Sequence, residues 1–228
     1  RGLRVQRVSQ RSLSLRDTYQ DWLYTVEWIR QDHKRERPLG LPGGSWVLLM
    51  DRRGTSTELL ALLQAQGSRC VQIFSGERYA RLGPDSYEVD PADADAFRVL
   101  LDEAFTDDSP PKGVVHLWSL DAMDSQDTSA ESLERDQKLG TLSALHLSQA
   151  LLQKGWRNMP PLSLVTRGVH GVGVAPVVLS VAPAPLWGFG RTLALEHPEL
   201  SCMCIDLSPS SRTGADALQL LRQLLGRN

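Results

Sequence analysis

Residues 46–56 read WVLLMDRRGTS: an apolar run, a charged turn with one glycine, and two hydroxyl residues. A short apolar run bounded by a turn is typical of a buried β-strand. A helix is predicted over residues 55–66, because Thr55 and Ser56 are typical of a helix start and Gly67 is typical of the residue after a helix end. A strand that passes through a short turn into a helix is the opening unit of many α/β folds.

The same alternation of strand and helix patterns continues along the chain. We predict further strands at 22–30, 70–74, 87–89, 114–118, 162–166 and 202–207, and helices at 92–105, 130–153, 185–196 and 215–225. Because most of these strands are continuous apolar runs, the pattern predicts a parallel sheet with helices on both faces. Leu139, Leu142, Leu145 and Leu152 are assigned to the apolar, sheet-packing face of the long helix.

The predicted fold class is therefore α/β, a degenerate Rossmann-like parallel sheet preceded by a linker and an N-terminal strand. Residues 1–21 are polar and are interpreted as an interdomain linker. Residues 22–228 form one predicted domain, whose core lies at 45–226.

The word degenerate refers to the turn at residues 51–56. A dinucleotide-binding turn needs three glycines so that its backbone can approach a pyrophosphate, and this turn has only Gly54. Two interpretations remain open. Arg52 and Arg53 could hold a phosphate together with the helix N-terminus, or the helix is simply capped and the arginines are solvated, which the single glycine favours.

Reductase chemistry of the short-chain type needs a Ser or Thr, a Tyr that donates the proton, and a Lys that lowers the pKa of the phenol. Ser163 and Thr166 lie on the appropriate predicted strand, but no tyrosine follows Tyr87 and no lysine follows Lys154. The sequence therefore predicts neither catalytic nor cofactor-binding residues in this chain.

Other candidate sites are weak. His116 lies in an apolar strand and His146 in a helix, positions typical of packed or hydrogen-bonded core residues. His170 lies in the glycine-rich stretch 168–173, which is interpreted as a loop after a strand, and no G-x-S-x-G nucleophile motif occurs. The three cysteines, Cys70, Cys202 and Cys204, are expected to be reduced thiols without a metal, because two further ligands would be needed.

Three segments carry a resemblance to a known family. Residues 183–209 contain PAPLWGFGRTLALEHPEL and then CIDL, residues 23–28 read LYTVEW, and residues 113–120 read GVVHLWSL. These segments resemble the N-terminal half of the ketoreductase domain of modular type I polyketide synthases, and the resemblance extends over roughly residues 22–226. Residues 1–21 are similar to a linker that follows an upstream dehydratase domain.

The resemblance implies a non-catalytic structural subdomain, not an enzyme by itself. Such a subdomain supports a separate catalytic subdomain that binds NADPH and reduces β-ketoacyl-acyl-carrier-protein, or it persists as an architectural remnant in a non-reducing, pseudo-ketoreductase module. The implied partners are that catalytic subdomain and neighbouring dehydratase, enoylreductase or methyltransferase, and acyl carrier protein domains, in the cytoplasm. A net charge of -2 gives no reason to expect nucleic acid or a membrane as a partner.

The candidate interface with the catalytic subdomain lies at the start of the predicted helix 185–196. It consists of Trp187, Gly188, Phe189, Gly190 and Arg191. The aromatic pair could anchor a partner and the glycines could admit another backbone closely, or all of them could pack internally against the sheet. The alternative function is a free-standing Rossmann-like domain that binds a nucleotide or another phosphate ligand at the turn containing Arg52 and Arg53.

Overall fold

The computed structural model describes residues 2–7, 24–29, 43–172, 179–211 and 213–226. The chain divides into two compact units, a small one that contains residues 1–38 and a large one that contains nearly all of the rest. Among the described helices, none combines the length and the apolar character that crossing a lipid bilayer requires.

The small unit contains two antiparallel strands, β1 (Gly2–Arg7) and β2 (Tyr24–Ile29). Strand β2 was predicted, although Trp22, Leu23 and Arg30 lie outside the described residues. Strand β1 was not predicted, because the arginines suggested a linker and hid the alternation of apolar and polar residues along 2–7. The role of residues 1–21 as an interdomain linker stays a prediction.

The large unit is built on a seven-stranded sheet in the order β5-β6-β4-β3-β7-β8-β9. The strands are β3 (Ser45–Leu49), β4 (Arg69–Ser75), β5 (Ala80–Gly83), β6 (Ser86–Val89), β7 (Gly113–His116), β8 (Leu162–Arg167) and β9 (Met203–Leu207). All neighbours are parallel except β5 and β6, which form an antiparallel hairpin. Without β5, the order is the 3-2-1-4-5-6 arrangement of Rossmann-like folds, which confirms the predicted fold class.

Helices cover both faces of this sheet. They are α1 (Thr55–Ala65), α2 (Ala94–Ala104), α3 (Ala130–Gln137), α4 (Ser143–Lys154), α5 (Ala184–Glu196) and α6 (Thr213–Leu225). Strand β3 is buried on both sides: Val47 and Leu49 pack with α2, α4 and α5, whereas Trp46 and Leu48 pack with α1 and α6. This two-sided burial explains why the strand is a continuous apolar run.

Several boundaries differ from the sequence prediction. Strand β5 was missed because it is short and partly exposed. Helix α2 begins at Ala94, two residues later than predicted, and the Asp93 carboxylate caps it by accepting a hydrogen bond from Ala96 N at 3.1 Å. Strand β7 ends at His116, two residues early, since a 3₁₀ turn over Trp118–Asp121 follows.

The predicted helix 130–153 is interrupted by a π-helical turn over Lys138–Leu142. The Ser143 hydroxyl lies 2.6 Å from the carbonyl oxygen of Leu139, and a hydroxyl that bonds back to a helical carbonyl competes with the regular helix ladder. The extra residue in this turn shifts the register of the following face. Leu145 is therefore exposed, contrary to the prediction, and Leu147 and Leu151 are buried instead.

Candidate functional site at the carboxyl edge of the sheet

The turn between β3 and α1 is closed by a carboxylate of the chain itself. Asp51, which is 6% exposed, accepts hydrogen bonds from Ser56 N at 2.6 Å and from Thr55 N at 3.2 Å. Gly54 supplies the left-handed conformation, φ 93°, that lets the chain turn back into the helix. The exposed amides and positive dipole end of a helix start attract an anion, and here that anion is Asp51.

The two arginines of this turn also have internal partners. The backbone nitrogen of Arg52 donates to the Asp121 carboxylate, at 2.9 and 3.1 Å from its two oxygens. The Arg53 guanidinium donates to the carbonyl oxygen of Ala122 at 3.0 Å and lies 3.8 Å from Asp124. Burial raises the pKa of Asp121, against the opposing effect of the hydrogen bond from Arg52 N.

These contacts favour the capped-helix interpretation of the turn, although phosphate binding there stays untested. A phosphate at the start of α1 would have to take the backbone amides of Thr55 and Ser56 from the Asp51 carboxylate. The displaced carboxylate would then lie beside the phosphate. Two like charges at such a separation in a poorly solvated site repel strongly. The geometry therefore does not support a phosphate site formed by Arg52, Arg53 and the helix N-terminus. It agrees with the capped-helix interpretation, in which the cap is Asp51, a residue whose role the sequence analysis missed.

The end of β8 carries a second buried polar cluster. The Thr166 hydroxyl donates to the Asp206 carboxylate at 2.8 Å and accepts from the indole N–H of Trp187, also at 2.8 Å. Asp206 in turn accepts from the backbone nitrogens of Val169, at 3.2 Å, and His170, at 2.9 Å. Thr166, where a reductase would offer a hydroxyl to its substrate, therefore links β8 to β9 and to α5.

The imidazole of His170 lies edge-to-face against the Trp187 ring, with ring centroids 4.3 Å apart. Partial burial lowers the pKa of His170, and the nearby Arg191 acts in the same direction while Asp206 opposes it. The segment after β8 is irregular as far as Val172, as predicted, and residues 173–178 lie outside the described residues. Asp206 was quoted in the sequence resemblance, but nothing in the pattern indicated that it anchors this loop.

His116 is a core residue, as expected, and His146 is half-buried and hydrogen-bonded. His116 is fully buried, its Nε2 lies 2.7 Å from the Ser143 hydroxyl, and burial lowers its pKa to about 3. His146 Nδ1 lies 3.2 Å from the carbonyl oxygen of Pro91, to which it donates. The fully buried imidazole of His116 does not reach the surface where it could act on a substrate.

Cys70, Cys202 and Cys204 are free cysteines. Burial raises the pKa of Cys70 and of Cys204 to about 11, which keeps both protonated and unreactive near neutral pH. Within the described ranges, no group of three or more His, Cys, Asp or Glu side chains is arranged to hold a metal ion.

The five residues of the candidate interface have different surroundings. Gly190 is buried, and a β-carbon there would collide with the Cys204 sulfur and lie 3.0 Å from Leu164 Cδ1. Phe189 packs partly into the core, and Trp187 is half-buried and bonded to Thr166. These three residues make internal contacts, and their part in an interface stays a prediction.

The other two, Gly188 and Arg191, are exposed on the outer surface of α5. Leu195, which lies on the same helical stripe one turn further on, is 84% exposed.

The fold, the closed turn and the buried cluster at the end of β8 define a Rossmann-like α/β domain whose first turn is occupied by its own side chain. Residues 45–223 match the model of the family described as beta-ketoacyl synthase-like, N-terminal. The chain belongs to this family.

Individual relatives agree with that assignment. The pikromycin polyketide synthase component PikAII of Streptomyces venezuelae is 30% identical over 202 residues, which cover 86% of this chain and 5% of PikAII. The chain thus spans a small part of that relative. A solved C2-type ketoreductase from a modular polyketide synthase is 28% identical with a TM-score of 0.57, covering 82% of this chain and 37% of that one. The resemblance to modular polyketide synthases is confirmed, and the chain is related to their ketoreductase region.

A more distant solved structure shares the fold. It is a keto acid-selecting NRPS module that contains adenylation, ketoreductase and pseudo Asub domains. Its TM-score is 0.72 at 18% identity, and the match covers 86% of this chain and 16% of that one.

Proposed function

We propose that this chain is the non-catalytic structural subdomain of a polyketide synthase ketoreductase. It supports a separate catalytic subdomain that binds NADPH and reduces β-ketoacyl-acyl-carrier-protein, or it is retained for architecture in a non-reducing module. The observation that carries the proposal is the Asp51 carboxylate on the first turn of α1. A dinucleotide pyrophosphate needs those amides, and here they are already hydrogen-bonded.

The end of β8 supports the same conclusion. Thr166 and Asp206 are engaged in holding β8, β9 and the following loop together. Tyr87, the last tyrosine of the chain, lies on β6, which three intervening strands separate from β8 in the sheet. Among the described residues of the large unit, no tyrosine lies at this strand end to donate a proton to a ketone.

The surface that we propose for the catalytic subdomain is the outer stripe of α5. Gly188, Arg191 and Leu195 share this stripe, and Leu195 is among the most exposed large apolar side chains of the described residues. A glycine beside an exposed leucine offers a partner both a recess and an apolar contact. Other domains of the assembly, including dehydratase, enoylreductase or methyltransferase and acyl carrier protein, are expected neighbours in a cytoplasmic complex.

Reconstitution tests this proposal. The purified chain with NADPH and a β-ketoacyl thioester should show no NADPH oxidation above the protein-free rate. When the catalytic subdomain of the same module is added, it should bind the chain, and, if the module is reducing, the ketone should then be reduced. Oxidation of NADPH by the chain alone that survives repurification would refute the proposal.

A matched pair of variants tests the surface. Gly188→Leu on α5 should weaken association with the catalytic subdomain at least tenfold, because a large side chain fills the recess. Gly214→Leu on α6 is the control: a β-carbon there also meets nothing within 4 Å, but the helix lies on the other face of the sheet. Equal binding by both variants would show that the stripe on α5 is not the interface.

A further inference from the structure

A cleft of about 450 Å³ opens at the carboxyl edge of the sheet. Its walls come from the segments that follow β3, β7, β8 and β9 and include Arg53, Ser119, Asp124, Arg167 and Pro209. The strand order reverses between β3 and β7, and crevices at such a reversal are where α/β sheets bind ligands. The volume suits a small organic molecule.

Ser119 provides a buried polar group in this cleft. The residue is 4% exposed, and its hydroxyl has no hydrogen-bond partner among the residues that the structure describes. A buried hydroxyl is costly to leave unpaired. Ser119 lines the cleft, and a ligand that reached its hydroxyl would give this buried group the partner that it lacks.

The two arginines of the cleft differ in how firmly they are held. Arg167 is fixed by Asp216 at 2.7 Å and by the carbonyl oxygen of Ser208 at 2.9 Å. Among the residues that the structure describes, Arg53 has only the hydrogen bond to the Ala122 carbonyl oxygen and the 3.8 Å ion pair with Asp124. The two side chains of that pair are 48% and 77% exposed. Exposed pairs at such a distance are weak, so an incoming anion can replace Asp124 beside the Arg53 guanidinium.

We propose that this cleft binds a small organic oxyanion, a carboxylate or a phosphate ester, through the Arg53 guanidinium and the Ser119 hydroxyl. None of the described residues that line it is aromatic, so a nucleobase or nicotinamide ring would find no side chain to stack on. Asp124 and Asp127 also line the cleft and disfavour a polyphosphate. This inference does not depend on the proposed structural role.

Titration of the full chain with succinate and, separately, with glycerol 3-phosphate tests the site, using calorimetry or amide chemical shifts. The parent should bind one of the two saturably, and that probe identifies the oxyanion class. Arg53→Gln should weaken binding about tenfold, the cost of losing one charge-assisted hydrogen bond, and Ser119→Ala should weaken it by a smaller factor. Asp124→Asn should strengthen binding, because it frees the Arg53 guanidinium.

Arg52→Gln is the matched control. Arg52 is the neighbouring residue with the same charge, but it lines a different cleft, together with Ser75 and Glu88. The Arg52→Gln variant should therefore bind the probe with the same affinity as the parent. The proposal is overturned if neither probe saturates the parent, if Arg52→Gln weakens binding as much as Arg53→Gln, or if Asp124→Asn weakens it. Because the probes contain no nucleotide, none of these results bears on cofactor binding.

Discussion

The carboxylate of Asp51 lies 2.6 Å from the backbone nitrogen of Ser56, so the helix that opens the Rossmann-like core begins on an acceptor from its own chain. In a dinucleotide-binding unit this position belongs to the pyrophosphate. One buried side chain thus stabilises the start of α1 and removes the groups that a cofactor would need.

Replacing Asp51 should cost stability. In Asp51→Ala the backbone N–H groups of Thr55 and Ser56, two buried residues, lose their acceptor. We expect a loss of roughly 2 kcal/mol in the free energy of unfolding, measured by urea denaturation. Asp124→Ala, which removes a carboxylate that is 77% exposed, should change it by less than about 0.5 kcal/mol. Equal stability of the Asp51 variant and the parent would contradict the role of Asp51 as the cap.

Two glycines of α5 should respond oppositely to alanine. Gly188→Ala places its methyl group in open space and improves helix propensity, so it should stabilise the chain by about 0.5–1 kcal/mol. Gly190→Ala forces a methyl group against the Cys204 sulfur and Leu164, and should destabilise it by about 1–3 kcal/mol. Thermal unfolding of the two variants side by side checks this prediction. The packing of α5 is wrong if Gly190→Ala is as stable as Gly188→Ala.

The buried cluster around Thr166 should behave as a unit. Thr166→Val keeps the side-chain shape but removes the acceptor of the Trp187 indole N–H and one of the three donors to Asp206, at a cost of roughly 2 kcal/mol. The double variant Thr166→Val/Trp187→Phe should lose less free energy of unfolding than the two single variants together, because both substitutions remove the same hydrogen bond. The exposed Thr192→Val serves as the control. Strict additivity in this double-mutant cycle would contradict the hydrogen bond between Thr166 and Trp187.

His116 should make stability depend on pH. Its pKa is lowered to about 3 by burial, whereas an unfolded histidine titrates near 6.5, so below that pH the unfolded chain binds a proton that the folded chain does not. The contribution of His116 is complete above pH 6.5 and is lost progressively as the pH falls towards 3. At pH 5 the loss amounts to about 2 kcal/mol relative to pH 8.

The check is the difference between the parent and His116→Gln in free energy of unfolding, measured at pH 8 and at pH 5. The parent and the variant have the same carboxylates, so the contribution of the carboxylates to the pH dependence cancels in this difference. We expect the advantage of the parent over the variant to shrink by about 2 kcal/mol between the two pH values. An unchanged difference would mean that His116 is accessible to protons in the folded chain.

The sequence predicted the fold well where one strong local pattern determined the structure. The apolar runs of β3 and β8 are buried on both faces, and helices such as α1 end at glycines. It failed where tertiary contacts decide. The π turn before α4 depends on Ser143 bonding back to Leu139, and β5 exists only because it pairs with β6.

The candidate site was harder to predict for a related reason. The missing glycines and tyrosine were legible in the sequence, because they are identities at known positions. The roles of Asp51, Asp121 and Asp206 could not be read from the sequence. They depend on hydrogen bonds to residues up to 69 positions away in the chain. The usual capping signal is a Ser, Thr, Asp or Asn immediately before the helix, but Gly54 holds that position and Asp51 lies three residues earlier, so the pattern did not point to it.

The most direct test of the account is an NADPH titration of the purified chain, followed by calorimetry or by cofactor fluorescence. We expect no saturable binding up to millimolar NADPH, because the Asp51 carboxylate already accepts hydrogen bonds from the first turn of α1. Saturable binding in the micromolar range, abolished by Arg52→Ala and Arg53→Ala together, would contradict it. The turn would then be a phosphate site, and the chain a nucleotide-binding domain in its own right.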